Sequence, residues 1–241
     1  MIDHSEISAD DIRLYIIGDI HGRSDLLDRI VDEIHRDIEG YGGRECLTIT
    51  LGDYVDRGPD SRGVLDRLSR NPFPTRFVAL RGNHEAVLEA FLQRPLVLDH
   101  WRHLGGLETL HSYGIAVNEL MRGKGYEEAA GALRAAVPEK HLAFLRSLKN
   151  CVSIGEYFLC HAGVRPGIPL DRQNIDDLLW IREEFLNSDL AYGKMVIHGH
   201  TPNEWPEVKR NRVNIDTGAF ATGRLTCLVI EGGRGRFLFT A

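Results

Sequence analysis

The sequence predicts a mixed α/β fold, a two-sheet β-sandwich flanked by helices. Three observations carry this expectation. The first eighty residues alternate β-branched runs with helical spacing, in the order strand–helix–strand–helix–strand. A middle stretch, residues 87–150, is mostly helical between several breakers. The last ninety residues hold short strand-like runs around one late helix and close on a hairpin over Gly232-Gly233 and Gly235.

In order along the chain, residues 12–18 form an apolar, β-branched run that reads as a buried strand. Residues 26–38 place Leu27, Ile30, Val31, Ile34 and Ile38 on one helical face, and Tyr41-Gly42-Gly43 ends the helix. Residues 46–51 are the second strand. Gly58-Pro59-Asp60-Ser61 starts a helix over residues 61–68, and residues 77–80 are the third strand. Such an order puts right-handed crossovers between parallel strands and chemistry at their carboxyl ends. Pro95, Gly105-Gly106, Gly114, Gly123, Gly125 and Pro138 divide the helical middle. Residues 157–160, 195–197, 213–215, 225–230 and 237–239 read as strands, and 174–186 as the one late helix. No repeat, low-complexity tract or linker interrupts the chain. One domain over residues 1–241 is expected, with 87–150 as a mainly helical, cap-like segment within it.

Composition narrows the function classes. A formal net charge of −6 gives no basic footprint for an extended nucleic-acid surface. No apolar stretch reaches membrane-spanning length, so no membrane partner is expected. Residues 1–11 are polar and acidic, without the plan of a signal peptide. Cys46, Cys151, Cys160 and Cys227 are scattered in apolar surroundings and read as buried free thiols. Both features point to a reducing cytoplasm.

Three blocks follow the first three strands: Gly18-Asp19-Ile20-His21-Gly22, Gly52-Asp53-Tyr54-Val55-Asp56-Arg57-Gly58 and Arg81-Gly82-Asn83-His84-Glu85. Two more follow later strands: Cys160-His161-Ala162-Gly163 and His198-Gly199-His200-Thr201-Pro202. Any one block alone is an ordinary turn. Five in the same context predict a shared site. Asp19 and His21, in extended backbone, would point the same way toward one ion. Carboxylate, imidazole and amide oxygen suit Mn²⁺, Fe or Zn²⁺ better than Ca²⁺ or a thiolate zinc site. Few protein ligands per ion leave room for water and substrate, the pattern of a catalytic centre.

The first three blocks resemble the signatures of the phosphoprotein phosphatases, metal-dependent serine/threonine phosphatases within the calcineurin-like metallophosphoesterases. The His161 and Gly199-His200-Thr201-Pro202 blocks also fit. Asn214-Ile215-Asp216-Thr217-Gly218-Ala219 is most similar to bacterial and phage members, and the resemblance spans about residues 12–231. It implies that architecture and two divalent ions, manganese first, with iron or zinc as alternatives. One ion would be held by Asp19, His21 and Asp53. The other would be held by Asp53, Asn83, His161 and His200, with Asp53 bridging. His84 would be the general acid, oriented by Asp56. Arg57, Arg81 and Arg182 would hold the phosphate, Arg182 by analogy of Leu179-Trp180-Ile181-Arg182. The implied reaction is hydrolysis of phosphate monoesters by a hydroxide activated between the metals, with His84 protonating the leaving group. The implied substrate is protein phosphoserine or phosphothreonine. A small phosphate ester also fits. The rival is a symmetrical diadenosine tetraphosphate hydrolase on the same centre, whose relatives more often carry Gly-Asn-His-Asp than the Gly82-Asn83-His84-Glu85 found here. A non-catalytic metal scaffold is the third reading, disfavoured by the full set of ligands, acid and arginines.

Some residues stay outside the expected site. His198 reads as a packing neighbour of the ligands, and His4, His35 and His141 as surface or helix-face histidines. Trp101, His103, Gly105-Gly106, Thr109 and Tyr113 resemble a stretch of the bacterial members. They read first as a helix pair packing its aromatics inward. The alternative is a cap beside the metals that chooses the substrate.

Overall fold

The computed structural model describes residues 12–39, 41 and 45–240. The readings of residues 1–11, His4 included, and of the Gly42-Gly43 helix stop lie outside them. The chain begins β1 (Arg13–Ile17), α1 (Ser24–Glu39), β2 (Cys46–Thr50), α2 (Ser61–Leu68), β3 (Arg76–Ala79) and α3 (Asn83–Gln93). The helical middle continues as α4 (Leu98–Trp101), α5 (Gly106–Ser112), α6 (Asn118–Met121), α7 (Tyr126–Ala136) and α8 (Glu139–Ser147). Then come β4 (Cys151–Ile154), β5 (Tyr157–Cys160), α9 (Ile175–Trp180), α10 (Glu183–Leu186) and β6 (Met195–His198). The chain closes with β7 (Glu207–Val208), β8 (Arg212–Asn214), α11 (Ala219–Thr222), β9 (Thr226–Glu231) and β10 (Arg234–Phe239).

Two five-stranded sheets form, ordered β10-β9-β1-β2-β3 and β4-β5-β6-β8-β7. β1, β2 and β3 run parallel, as do β5, β6 and β8, and the outer strands pair antiparallel. The alternation of β1 explains why all five of its residues are buried. Leu14 and Ile16 face the other sheet with Ile49, Leu159, Ile197 and Val213, whereas Tyr15 and Ile17 face the helices. On that helical face α1 lays down Leu26, Leu27, Ile30 and Ile34, and α2 adds Val64, Leu65 and Leu68. Asp60 caps α2 by accepting from the Gly63 N–H. The outer face of the second sheet is covered by Leu178, Ile181 and Phe185 against Phe158, Cys160 and Val196. The mixed sandwich flanked by helices is therefore present. No described helix is long and apolar enough to cross a membrane.

Several expectations change. β4 and β7 escaped the sequence reading because one directly follows the helical middle and the other is two residues long. The single late helix is broken: Ile181 is extended, with ψ 143°, and Arg182 takes φ −131° and ψ −102° before α10 begins. His141 is fully buried rather than superficial, its ring between the Tyr113 hydroxyl (2.8 Å) and Asp66 (3.1 Å). His35 is exposed as expected. Cys151, Cys160 and Cys227 are buried, and the described cysteines form no disulfide.

Candidate metal centre

Each parallel strand delivers one part of the site just past its carboxyl end. β1 is followed by Asp19 and His21, β2 by Asp53, and β3 by Asn83 and His84 at the start of α3. In the second sheet β5 is followed by His161, β6 by His200 and β8 by Asp216. The loops meet because backbone comes very close to side chains. A β-carbon on Gly82 would overlap Asp53 Oδ1, and one on Gly199 would overlap Asp19 Oδ1. The backbone is also bent into an uncommon shape. His21, Asp53, Asp56, Arg57 and His200 all have left-handed φ, between 45° and 72°, and the only other described non-glycine residue to do so is Asn71. This corrects one expectation. Asp19 and His21 do not converge by extended alternation, because His21 lies in a turn.

The candidate ligand atoms converge around Asp53. Its Oδ2 lies 3.5 Å from His21 Nε2, and its Oδ1 lies 3.3 Å from His161 Nε2. His161 Nε2, His200 Nδ1 and Asn83 Oδ1 then form a triangle with sides of 2.9, 2.9 and 3.1 Å. His21 Nδ1 sits 3.0 Å from the Val55 carbonyl, and His161 Nδ1 3.0 Å from the Leu51 carbonyl. Those bonds put the proton on Nδ1 and leave Nε2 of each ring free to ligate. Asp19 Oδ2 accepts from the His200 N–H at 3.0 Å.

These groups fit divalent cations. Asp19 Oδ1 is buried with no hydrogen-bond partner, which is costly unless something else satisfies it. Burial, then the charges of Asp216 and Asp53, pushes the Asp19 carboxyl well above the ordinary range. Burial likewise pushes Asp216 up to about 6. Asp53 goes the other way: burial would raise it, but the His161 and His84 rings hold it well below. Burial pushes His21 down to about 3 and His200 down to about 2, so both rings are neutral, as a ligand must be. Crowded carboxylates beside neutral imidazoles are what bound cations would relieve.

Beside the ligands stands His84. Its Nδ1 is 2.6 Å from Asp56 Oδ2, and its backbone N–H donates to Asp53 Oδ1 at 3.2 Å. Its Nε2 is 3.7 Å from Asp53, close enough to count among possible ligands. The Arg57 guanidinium stands 3.3 Å from that same nitrogen, and a cation there disfavours a metal on it. Burial would lower the His84 pKa, but the Asp53 charge and the bond to Asp56 outweigh it and bring it up to about 8.

The three arginines differ. Arg57 lies against His84, its guanidinium 4.9 Å above the Phe220 ring. Arg182 bonds Thr201 Oγ1 at 3.1 Å, next to His200. Arg81 instead pairs with Glu89 at 2.6 Å and reaches toward the Leu145 carbonyl, and none of its bonds involves the ligand cluster. His198 packs edge-on against Phe185 and meets Arg212 at 3.3 Å, a neighbour and not a ligand.

Glu85, Phe220 and Trp180 were given no role from the sequence. Glu85 is fully buried and accepts from the backbone N–H groups of Asp53 (2.9 Å), Tyr54 (2.7 Å), Val55 (3.3 Å) and Gly82 (2.9 Å). Its place three residues into α3, where a capping glutamate belongs, was the available signal. Phe220 and Trp180, partly exposed, stand edge-on to His21 (5.5 Å) and His200 (6.2 Å). Trp101 and Thr109 are buried and hydrogen-bond Asp56. Tyr113 packs on His141 instead, and His103 is exposed.

A family model described as calcineurin-like phosphoesterase matches residues 12–223. Serine/threonine-protein phosphatase 2 of Salmonella typhimurium is 27% identical over 242 residues, covering 96% of this chain and 99% of that one. The asymmetrical bis(5'-nucleosyl)-tetraphosphatase PrpE of Anoxybacillus flavithermus is 27% identical over 239 residues, with 88% of each chain covered. The solved cold-active protein-tyrosine phosphatase of a Shewanella species superimposes with a TM-score of 0.59 at 14% identity, over 98% of this chain and 83% of that one, a likeness of fold. With candidate ligands in the loops that follow three parallel strands in each sheet, and a family model that takes in all of them, the chain belongs to the calcineurin-like phosphoesterases, metal-dependent enzymes that hydrolyse phosphate esters.

Proposed function

We propose that the protein removes phosphate from phosphoserine and phosphothreonine in proteins, using two divalent ions, manganese first among the candidates. The observation that carries this reading is the placement of Asp53, one oxygen toward His21 and the other toward His161, with the His84–Asp56 pair alongside. Asp19, His21 and Asp53 would hold one ion, and Asp53, Asn83, His161 and His200 the other. When bound, such a pair supplies Lewis acidity and a nucleophile at neutral pH.

The side chains do the rest. Arg57 and Arg182 flank the cluster and would fix and neutralise the phosphate oxygens, where most of the work in phosphoryl transfer lies. Arg81 could join them only by leaving Glu89. Asp56 holds Nδ1–H of His84, so Nε2 presents a proton to the departing alkoxide, a poor leaving group without one.

A second reading, dinucleoside polyphosphate hydrolysis, is favoured by one feature. Phe220 and Trp180 are partly exposed rings beside His21 and His200, against which a nucleobase could pack. The test is kcat/KM with manganese on a phosphothreonine peptide, a diadenosine tetraphosphate and para-nitrophenyl phosphate, side by side. A preference for the peptide over the dinucleotide is expected. The reverse order overturns the protein-phosphatase reading, and the nucleotides released then show whether cleavage is symmetrical.

A further inference from the structure

Asp56 sits on a loop, in left-handed backbone shared with Arg57 (φ 72° and 66°), yet the direction of its carboxylate decides how His84 is held. Nothing in the loop itself fixes that direction. The fixing groups come from one short segment almost fifty residues away. Trp101 Nε1 donates to Asp56 Oδ2 at 2.7 Å, the same oxygen that meets His84. Thr109 Oγ1 donates to Asp56 Oδ1 at 2.6 Å and accepts from the Asp56 N–H at 2.9 Å. The Arg57 N–H donates to the Gly105 carbonyl at 3.2 Å. Asp56, Trp101 and Thr109 are all fully buried.

The two glycines make the approach possible. A β-carbon on Gly105 would overlap the Arg57 backbone, and one on Gly106 would overlap the Trp101 indole. The indole also packs at a tilt on Phe91 of α3, ring centroids 4.9 Å apart, and α3 is the helix that begins with Asn83 and His84. The segment thus bonds Asp56 directly and braces the helix that carries His84, both through one aromatic ring. An indole N–H donates and cannot accept or titrate, so it steers Oδ2 without competing for the His84 proton.

We propose that residues 101–109 form a clamp that positions the general acid, with Trp101 and Thr109 as positioning residues acting through Asp56. Through these residues the middle helical segment then serves the chemistry by holding Asp56. This inference rests on His84 as the acid.

The test uses Trp101→Phe, which keeps an aromatic ring against Phe91, and Thr109→Val, which keeps the shape, in the full-length manganese-loaded protein. His84→Asn is the reference. Each clamp variant should lower kcat on a phosphothreonine peptide by about 10–100-fold, leave KM near its original value, and cost much less on para-nitrophenyl phosphate. In the metal-free protein the low-field proton resonance of His84 Nδ1–H, assigned by its loss in His84→Asn, should move in both variants. If Trp101→Phe does not fold, Thr109→Val carries the test alone. Equal losses on the two esters, or a His84 resonance unmoved in the folded variants, overturn the clamp. Should His84→Asn itself lose equally on both esters, the acid role fails instead, and the resonance alone decides the clamp.

Discussion

His84 illustrates how one contact separates two roles for the same side chain. A ring within reach of Asp53 could ligate, but a guanidinium 3.3 Å from Nε2 opposes a metal there, and a carboxylate 2.6 Å from Nδ1 suits a proton donor. His84→Asn should therefore retain both metals and lower kcat on alkyl phosphates by about 10²–10⁴-fold, with a smaller loss on aryl phosphates. Rates on the two ester types with metal analysis of the same preparation check this. Asp53→Asn should behave differently, losing metal occupancy along with rate. Asparagine tolerates the left-handed backbone at that position, so the change removes the charge without breaking the loop. Full occupancy by two ions in that variant, read by elemental analysis, would reject the bridging role. The candidate residues that the sequence offered and the structure brings together are those that a short block announces: Asp19, His21, Asp53, Asn83, His84, His161 and His200. Trp101 and Thr109 were visible as a cluster, but their bonds to Asp56 arise from a meeting of segments almost fifty residues apart, which periodicity cannot express.

At the scale of elements, the start of α3 ties the first sheet's loops together. Glu85 reaches out of the helix and gathers four backbone N–H groups from the second and third blocks. Glu85→Gln replaces one acceptor oxygen by a donor that faces those donors. It should destabilise the fold by about 1–3 kcal/mol, measured by urea unfolding, even though the side chain touches no substrate. Stability equal to that of the parent protein would show that the four bonds carry little. The strand–helix alternation up to α3 was readable because each element is long enough to show its period. The broken α9–α10 pair was not. Residues 174–186 keep helical spacing through the extended Ile181, and the break is set by burial of Ile181 and Phe185 on the second sheet. The two-residue β7 is too short to carry a pattern at all.

For the whole molecule, the two sheets share an apolar interior, but their active ends are electrostatically tense. Asp19, Asp53 and Asp216 are buried in one region, and burial with mutual repulsion raises the carboxyls of Asp19 and Asp216. Cations that bind only the folded chain should relieve this. Metal at about a hundred times its Kd adds about 2.7 kcal/mol to folding stability. Calorimetry should show a lower Tm after chelation and its recovery on adding manganese. A melting curve indifferent to both treatments would place no metal at this centre.

The left-handed backbone at His21, Asp53, Asp56, Arg57 and His200 has a bearing on how the protein would respond to engineering. Glycine adopts that shape more easily than any of these five side chains, a local gain set against the buried bonds that several of them make, such as those from Trp101 and Thr109 to Asp56. A library screened for heat resistance without an activity filter would therefore take glycine only where relief of the backbone exceeds the bonds lost. Wherever it did so, the sturdier molecule would lack one of the groups proposed for the chemistry.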